Sequence, residues 1–445
     1  MEEIRETLDT GSRGVRSTID NFVTALHCDP ELKGRFRYNL LTEKIDVVGT
    51  LPWVCKNPTM DDTQMNYLLW YLEVVYGLSG EKKALSALKI VAYGNRFHPV
   101  RDYLNSLTWD GEERIRYALH RFLGCDTSDY NYEALKLFMM GAIKRVFEPG
   151  CKFENMVCLV GGQGAGKSTF FRLMAVRDEW FSDDLRKLDD ENIYRKLQGH
   201  WIIEMSEMIA TASARSIEEI KSFLSRQKET YKVPYEIYPA DRLRQCVFGG
   251  TTNRQDFLPR DRTGNRRFIP VNVYPEKAQV HILEDESESR QYIAQLWAEA
   301  MAMYSAGDYS LTFPAQMYSA LTERQKDFMQ EDTLAGQIYA FLEDFTGDRV
   351  CSKLLYAEAL GIDRPPQSWE TREICEIMNT GIQNGDIKGW RAYASSQRYV
   401  KYGLQRGWER STLHESSVIK TDDFVDEPVD EFTELPLYEQ DLPFE

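Results

Sequence analysis

Residues 161–168 have the residue types and spacing of a phosphate-binding loop. Their sequence, GGQGAGKS, matches the pattern G-x-x-x-x-G-K-[ST] without a gap. Glycines allow such a loop to turn its backbone N–H groups towards phosphate oxygens, and a lysine in this position reaches the β- and γ-phosphates of a nucleoside triphosphate. We therefore predict a site for ATP and Mg²⁺, with the Ser168 hydroxyl as a metal ligand; the alternative is a chance glycine-rich turn. The predicted nucleotide-binding residues are Gly161, Gly162, Gln163, Gly164, Ala165, Gly166, Lys167, Ser168 and Thr169.

Two carboxylates follow an apolar run further along the chain, in the sequence WIIEMSE from Trp201 to Glu207. A carboxylate at the end of a core strand can hold the Mg²⁺ of a P-loop enzyme, and we assign this role to Glu204. Glu207 is then the candidate that orients the attacking water, although the two roles could be exchanged. The alternative is a pair of solvated glutamates at the end of a strand.

Three further polar residues are candidates for the hydrolysis reaction. Asn253 ends the run FGGTTN and is predicted to hydrogen-bond the γ-phosphate or the attacking water, or else to cap the next turn. Arg266 and Arg267 follow a turn, and an arginine aimed at the nucleotide of a neighbouring subunit would make hydrolysis depend on assembly. The alternative for both arginines is a solvated surface position.

The elements around these residues predict an α/β fold. The run Met156–Val160 is short, apolar and bounded by glycines, as in a buried parallel strand, and a helix is predicted from Lys167 to Ala175. Residues 201–203 and 246–248 are predicted as further core strands, with a helix over 215–224 between them. Further helices are predicted over 290–306 and 314–330.

Residues 334–410 have a different pattern. Three helical segments, at 334–345, 352–360 and 369–382, precede a turn and two strand-like stretches, which is typical of a small winged-helix module. Residues 386–410 carry a net charge of +4, and the basic residues of the predicted wing could bind phosphates. A winged helix can also bind protein, and this alternative stays open. The basic residues named for the wing are Lys388, Arg391, Arg398, Lys401 and Arg406.

The net charge of −16 comes mostly from the last 25 of the 445 residues, which hold ten acidic residues and no lysine or arginine. This tail is predicted to be disordered. It either binds a basic groove of a partner or has no partner.

The eight cysteines include no C-x-x-C pair, which argues against a zinc ribbon or a disulfide framework. There is no apolar stretch of membrane-spanning length, so a cytoplasmic location and no membrane partner are expected.

Taken in order, these motifs resemble the virulence-associated protein E family, phage and genomic-island ATPases related to superfamily-three helicases and to phage primase-helicases. The resemblance is strong over residues 101–271 and includes YLNSLTWDG, the P-loop, WIIEMSE, KSFLSR, GTTN and TGNRRFIPV. It implies an AAA+-like core that assembles as a homo-oligomeric ring, a hexamer, with a DNA-contacting hairpin between the strand of Glu204 and Asn253. Glu229, Lys232 and Leu243 stand where the family has Asp, Arg and Pro.

The hairpin corresponds here to residues 221–238, where cations alternate with aromatic residues, a combination that suits single-stranded DNA. The alternative is a helix with a solvated basic face. The residues predicted to contact DNA are Lys221, Arg226, Lys228, Tyr231 and Lys232. We expect single-stranded or forked DNA as a partner, together with a separate primase or other replication proteins.

The predicted function is an ATP-hydrolysing replicative DNA helicase or translocase of a phage or mobile element. The alternative is a nucleotide-gated DNA- or protein-binding regulator that unwinds nothing. The expected organisation is a mainly helical N-terminal region over 1–100, an AAA+-like core with a preceding helical collar over 101–275, a helical extension over 276–333, the winged-helix-like domain over 334–410 and the acidic tail over 411–445.

Overall fold

The computed structural model describes residues 2–12, 14–55, 57–185, 188, 193–206, 214–231, 240–258, 265–329 and 333–411, and for residues 214–218, 230, 231 and 240 it describes the backbone. Contacts divide the chain into two compact units, residues 1–331 and 332–445. The boundary predicted between residues 333 and 334 lies near this division, and the boundaries predicted after residues 100 and 275 stay predictions.

The N-terminal region of the first unit is mainly helical, with two short hairpins and its own apolar cluster around Phe22, Leu68 and Leu88. Its helices are α1 (Glu2–Thr7), α2 (Ile19–Cys28), α3 (Asp62–Tyr76) and α4 (Glu81–Gly94), and its strands are β1 (Thr10–Gly11), β2 (Gly14–Val15), β3 (Phe36–Asn39) and β4 (Lys44–Val47). Helix α5 (Pro99–Ser106) follows, and its buried Val100 and Leu104 belong to the apolar cluster of the rest of the unit. The turn between β3 and β4 joins this region to the rest of the unit. The Leu41 carbonyl accepts from Gly199 N–H at 3.2 Å and the Leu40 carbonyl from the Gln245 side chain at 2.9 Å. These bonds connect the N-terminal region to the residues around Gly199 and Gln245.

The rest of the first unit is built on a parallel β-sheet. Its helices are α6 (Ile115–Leu123), α7 (Asp129–Phe147), α8 (Lys167–Met174), α9 (Ile193–Leu197), α10 (Ala214–Leu224), α11 (Glu286–Ala306) and α12 (Tyr318–Asp327). Its strands are β5 (Met156–Val160), β6 (Phe181–Ser182), β7 (Ile202–Ser206), β8 (Lys228–Tyr231), β9 (Ala240–Leu243), β10 (Val247–Thr252) and β11 (Phe268–Asn272). Among the described residues, five strands form this sheet in the order β11-β5-β10-β7-β6, and every neighbouring pair is parallel.

Strand β5 lies inside the sheet and is buried along its whole length. Its side chains alternate between the two faces, as the pleat of a strand requires. Val157 and Leu159 join the apolar cluster on one face, whereas Met156, Cys158 and Val160 join the cluster on the other. Burial on both faces explains why this strand is an unbroken apolar run in the sequence. The helix predicted over 314–330 is shorter, because a 3₁₀ turn at Ala315–Met317 precedes α12.

The second unit has helices α13 (Thr333–Asp344), α14 (Ser352–Leu354) and α15 (Ser368–Asn384), with a π-helical turn at Leu355–Ala359, and strands β12 (Arg349–Cys351), β13 (Trp390–Ala392), β14 (Gln397–Tyr399), β15 (Gly403–Gln405) and β16 (Gly407–Arg410). Strands β12, β16 and β13 form an antiparallel sheet in that order, and β14 pairs with β15 as a hairpin between β13 and β16. The sequence indicated two strand-like stretches and missed β12, which has only three residues. The structure confirms the predicted class, an α/β fold with an AAA+-like parallel sheet, a mainly helical N-terminal region and a winged-helix-like module.

Candidate nucleotide site

The glycine-rich loop joins the end of β5 to the beginning of α8. Gly164 and Gly166 have φ angles of 79° and 77°, in the left-handed region where a side chain is unfavourable. Helix α8 begins at Lys167, directly after Gly166. The unpaired N–H groups at the N-terminus of this helix therefore lie beside the loop, an arrangement that favours an anion.

The ammonium group of Lys167 lies beside the loop backbone. It donates to the carbonyl oxygens of Gly161 and Gly162 at 2.7 Å and 2.6 Å, and to Oδ1 of Asn253 at 3.0 Å. Only 7% of the residue is exposed. Burial lowers the pKa of Lys167, whereas the negative charge of Glu204 opposes this shift.

Glu204 lies in β7 and is 1% exposed. Its carboxylate accepts hydrogen bonds from the Ser168 hydroxyl, at 2.6 Å, and from the Thr251 hydroxyl. A serine hydroxyl and a carboxylate are hard oxygen ligands of the kind that Mg²⁺ uses, usually with substrate phosphates and water completing the shell. In the described part of the chain no cluster of three or more His, Cys, Asp or Glu side chains could hold a metal ion by itself. The residues present thus fit Mg²⁺ bound together with a nucleotide.

The strand order brings these groups together. Strand β10 lies between β5 and β7, with Thr252 opposite Val160 and Thr251 opposite Ser206. Because the strands are parallel, their carboxyl ends lie at one edge of the sheet, where ligands of such folds bind. Asn253, one residue past β10, is therefore placed between the loop and the strand that carries Glu204.

This edge of the sheet borders a cleft of about 630 Å³. Seven of the nine predicted nucleotide-binding residues, Gln163 to Thr169, line the cleft, and so do Thr251, Asn253 and Arg254. Residues His281, Ile282 and Leu283, on the segment before α11, line it as well. Leu283 is 43% exposed, whereas Ile282 is buried near Gly166. Sequence reasoning missed this segment because it has no motif and follows the loop by more than a hundred residues.

Arg266 and Arg267 lie at the beginning of β11, the opposite end of the sheet from the loop. Both pair with Glu154, at 3.3 Å and 3.2 Å respectively, and Arg267 also donates to the Ser225 hydroxyl at 3.1 Å. The Arg266 side chain is 65% exposed, whereas that of Arg267 is 21% exposed. Five residues of β5 separate this end from the loop, roughly 13 Å along the strand. Neither arginine therefore lies beside the loop of its own chain, and Arg266 is the more exposed of the two.

Strands β8 and β9 form an antiparallel hairpin between β7 and β10, where the family resemblance implied one. The base of the hairpin contains a buried ion pair between Glu229 and Arg244, and the Arg244 guanidinium stacks on Phe223 at 4.6 Å. Glu229 therefore anchors the hairpin to the residues that lead into β10.

The predicted DNA-contacting residues do not share one surface. Lys221 is 4% exposed and lies in α10 beside the buried Ile220 and Leu224, so in this structure its side chain has no accessible surface with which to contact DNA. The residue pattern of the helix does not indicate this burial, because the apolar stem of a lysine can pack among apolar neighbours. Arg226 and Lys228 are about half exposed and pair with Glu229 and Asp241.

Three sequence predictions fall where the structure gives partial or no information. Tyr231 is described by its backbone alone, as the last residue of β8. Glu207 and Lys232 lie outside the described residues.

The comparisons with known proteins give one family. The model of the virulence-associated protein E-like domain matches residues 104–330, just over half of the chain. The comparison with curated proteins gives no match. Two apo structures of the NrS-1 C-terminal region are similar, with 14% and 15% identity and TM-scores of 0.45 and 0.46, and each alignment covers 84% of this chain and 95% of the other. No helix among the described residues is long and apolar enough to cross a membrane.

Proposed function

Because the chain belongs to the virulence-associated protein E-like family, we propose that it is an ATP-hydrolysing DNA helicase or translocase in the replication of a phage or mobile element. The observation that carries this proposal is the convergence of Lys167, Ser168, Glu204 and Asn253 at one edge of the parallel sheet. A loop lysine, a loop hydroxyl, a strand carboxylate and a strand-end amide are the parts that hydrolysis of a nucleoside triphosphate requires.

Each group has a distinct task in this proposal. The loop N–H groups and Lys167 bind the phosphates of ATP, and Ser168 and Glu204 would hold Mg²⁺, which neutralises charge on the phosphate oxygens. Asn253 donates a hydrogen bond to the γ-phosphate or to the attacking water through its amide NH₂, since its Oδ1 accepts from Lys167. Glu207 remains our candidate for orienting that water.

We propose that the active form is a homo-oligomeric ring, a hexamer, on single-stranded or forked DNA. The exposure of Arg266 at the end of the sheet away from its own loop supports this arrangement, because a guanidinium in that position can reach the nucleotide of an adjoining copy. Arg267 is held by the side chains of Glu154 and Ser225, and we assign it a structural role. Head-to-tail contacts of this kind close into rings when the rotation between copies permits it.

The decisive experiment compares the wild type with Lys167→Ala for ATP hydrolysis and for separation of a forked DNA, with and without single-stranded DNA. We expect the variant to lose both activities, whereas Lys89→Ala, an exposed lysine on α4, should keep both. Size measurement with a non-hydrolysable ATP analogue should show nucleotide-dependent assembly. Assembly with slow hydrolysis and no strand separation would support the regulator instead, and unwinding that survives in Lys167→Ala would refute the motor.

A further inference from the structure

The winged-helix-like unit presents two surfaces that could meet a nucleic acid, and they differ in charge. The outward side of α15 carries Arg372 together with the acidic residues Glu373 and Glu376. Glu370, in the first turn of this helix, is occupied by a hydrogen-bonded pair with Arg364. A surface with this balance of charge has little attraction for phosphate groups.

The hairpin β14–β15 has one anchored side and one open side. Tyr399 lies opposite Gly403, and its hydroxyl is 2.7 Å from that of Tyr393. Tyr402, in the turn, donates to Glu358 at 2.8 Å. Arg398 lies opposite Leu404, one residue along from the Tyr399 pair. Since neighbouring positions of a strand project to opposite sides, Arg398 and Leu404 share the side that faces away from the tyrosine anchors.

The open side and the tip of the hairpin together present apolar and cationic residues. Val400, at the turn, is fully exposed and Leu404 is 69% exposed. Arg398, and Arg406 directly after β15, are exposed and make no ion pair among residues 333–411. Lys401, in the turn, has a side chain that is 78% exposed and lies 4.0 Å from Glu358, so it extends the cationic surface around the tip towards the anchored side. Apolar side chains flanked by cations are the combination with which minor-groove proteins contact sugars and bases between two phosphate backbones.

We propose that the open side of hairpin β14–β15, and not helix α15, is the DNA-contacting surface of this unit, and that it binds duplex DNA with its tip in the minor groove. Arg398, Lys401 and Arg406 contact phosphates, while Val400 and Leu404 lie against the groove. The proposal rests on the proposed function, because it takes DNA as the substrate. It adds a duplex-binding surface that is separate from the β8–β9 hairpin of the ATPase core.

The test measures binding of the full chain, without nucleotide, to a labelled duplex by fluorescence anisotropy over a range of salt concentrations. The triple variant R398Q/K401Q/R406Q should lose about 10²-fold in affinity at low salt, and its log K against log[salt] slope should flatten by about 2 to 3, the value for three lost phosphate contacts. The matched control, K353Q/R372Q, removes two exposed cations from the same unit and should change neither quantity by more than twofold. Stronger weakening by K353Q/R372Q than by the triple variant would overturn the proposal in favour of the helices α14 and α15.

A second variant tests the groove. V400S/L404S should bind duplex DNA about tenfold more weakly with an unchanged salt slope, and a minor-groove ligand such as netropsin should displace the wild type. Equal effects on duplex and single-stranded DNA, or no displacement, would overturn the minor-groove arrangement. Both variants keep the tyrosine anchors and should keep the wild-type melting temperature and basal ATP hydrolysis. If the triple variant binds duplex DNA as tightly as the wild type and still hydrolyses ATP, this inference is refuted and the proposed function is not. If the wild-type chain hydrolyses no ATP but its duplex binding depends on the hairpin cations, the proposed function is refuted and this inference is not.

Discussion

The ammonium group of Lys167 lies 3.0 Å from the side-chain oxygen of Asn253, although 86 residues separate them in the chain. This contact connects the phosphate-binding loop to the end of β10, the strand next to β5. Asn253 is exposed in the cleft, so its amide NH₂ is free to face a phosphate while its oxygen fixes the lysine. The arrangement favours a role in hydrolysis over a purely local cap of the following turn.

Removal of the Asn253 side chain should affect hydrolysis more than binding. In Asn253→Ala we expect kcat for ATP to fall on the order of 10²-fold, the usual cost of losing one fixed hydrogen-bond donor to a developing charge. The Kd of a non-hydrolysable analogue should change by less than about threefold, since the loop and Lys167 remain. Steady-state ATPase assays and calorimetry measure the two quantities. Gln255→Ala, two residues further along, is the control, and an unchanged kcat in Asn253→Ala would exclude the proposed role.

Mixing of two inactive variants should separate action within a subunit from action between subunits. Lys167→Ala and Arg266→Ala should each hydrolyse ATP at least about 10²-fold more slowly than the wild type. Equal mixing should restore about a quarter of wild-type activity, because about a quarter of head-to-tail interfaces would then combine an intact loop with an intact arginine. Activity no greater than that of the separate variants would show that Arg266 does not act across the interface. Arg267→Ala should mainly lower the melting temperature, through lost contacts with Glu154 and Ser225.

Acid should destabilise the first unit through His98. Burial lowers its pKa to about 4, and the nearby Arg101 contributes to the same shift, against a hydrogen bond to Gln245. Its Nε2 lies 2.7 Å from Oε1 of Gln245, whose own amide donates to the Leu40 carbonyl. Since the unfolded histidine binds its proton near pH 6.5, the unfolded chain takes up protons first as the pH falls. Stability is therefore fully present above this value and is lost between about pH 6.5 and 4, by up to about 3 kcal/mol.

Urea unfolding of the wild type and His98→Asn at pH 7 and pH 5 tests this assignment. The free energy of unfolding should fall more steeply with acid in the wild type than in the variant. Equal pH dependence in the two chains would show that His98 makes no contribution. His281→Asn, at an exposed histidine, controls for the general effect of removing an imidazole.

Leu283 should contribute to binding of the nucleobase and not of the phosphates. Its partly exposed side chain lies at the side of the cleft formed by the segment before α11. In Leu283→Ala we expect ATP to bind about five- to tenfold more weakly, from the loss of roughly 1 kcal/mol of apolar contact, and inorganic tripolyphosphate to bind as in the wild type. Lys167→Ala should weaken both ligands. Calorimetric titrations would exclude the base contact if ATP and tripolyphosphate responded alike, and Leu85→Ala on α4 is the control.

Elements that depend on local interactions could be predicted from residue types and their spacing. The glycine-rich loop, the apolar run of β5 and helix α8 follow from spacing within about twenty residues, because burial on both faces of a strand and the conformational needs of glycine are visible in the residue types. The winged-helix-like pattern was visible for the same reason. Strand β12 was not, because three residues carry no periodicity.

The contacts between distant residues and the accessibility of each cation depend instead on how the chain packs. Placement of Asn253 beside Lys167 depends on the order of the parallel strands, and the entry of Leu283 into the cleft depends on the packing of the segment before α11. Burial of Lys221 and exposure of Arg266 are likewise set by the packing of a helix and the end of a strand against the core. A lysine or arginine is the same residue in the sequence whether the fold buries it or leaves it exposed. Residue type alone therefore cannot distinguish the two positions, because the difference arises from contacts between segments far apart in the chain.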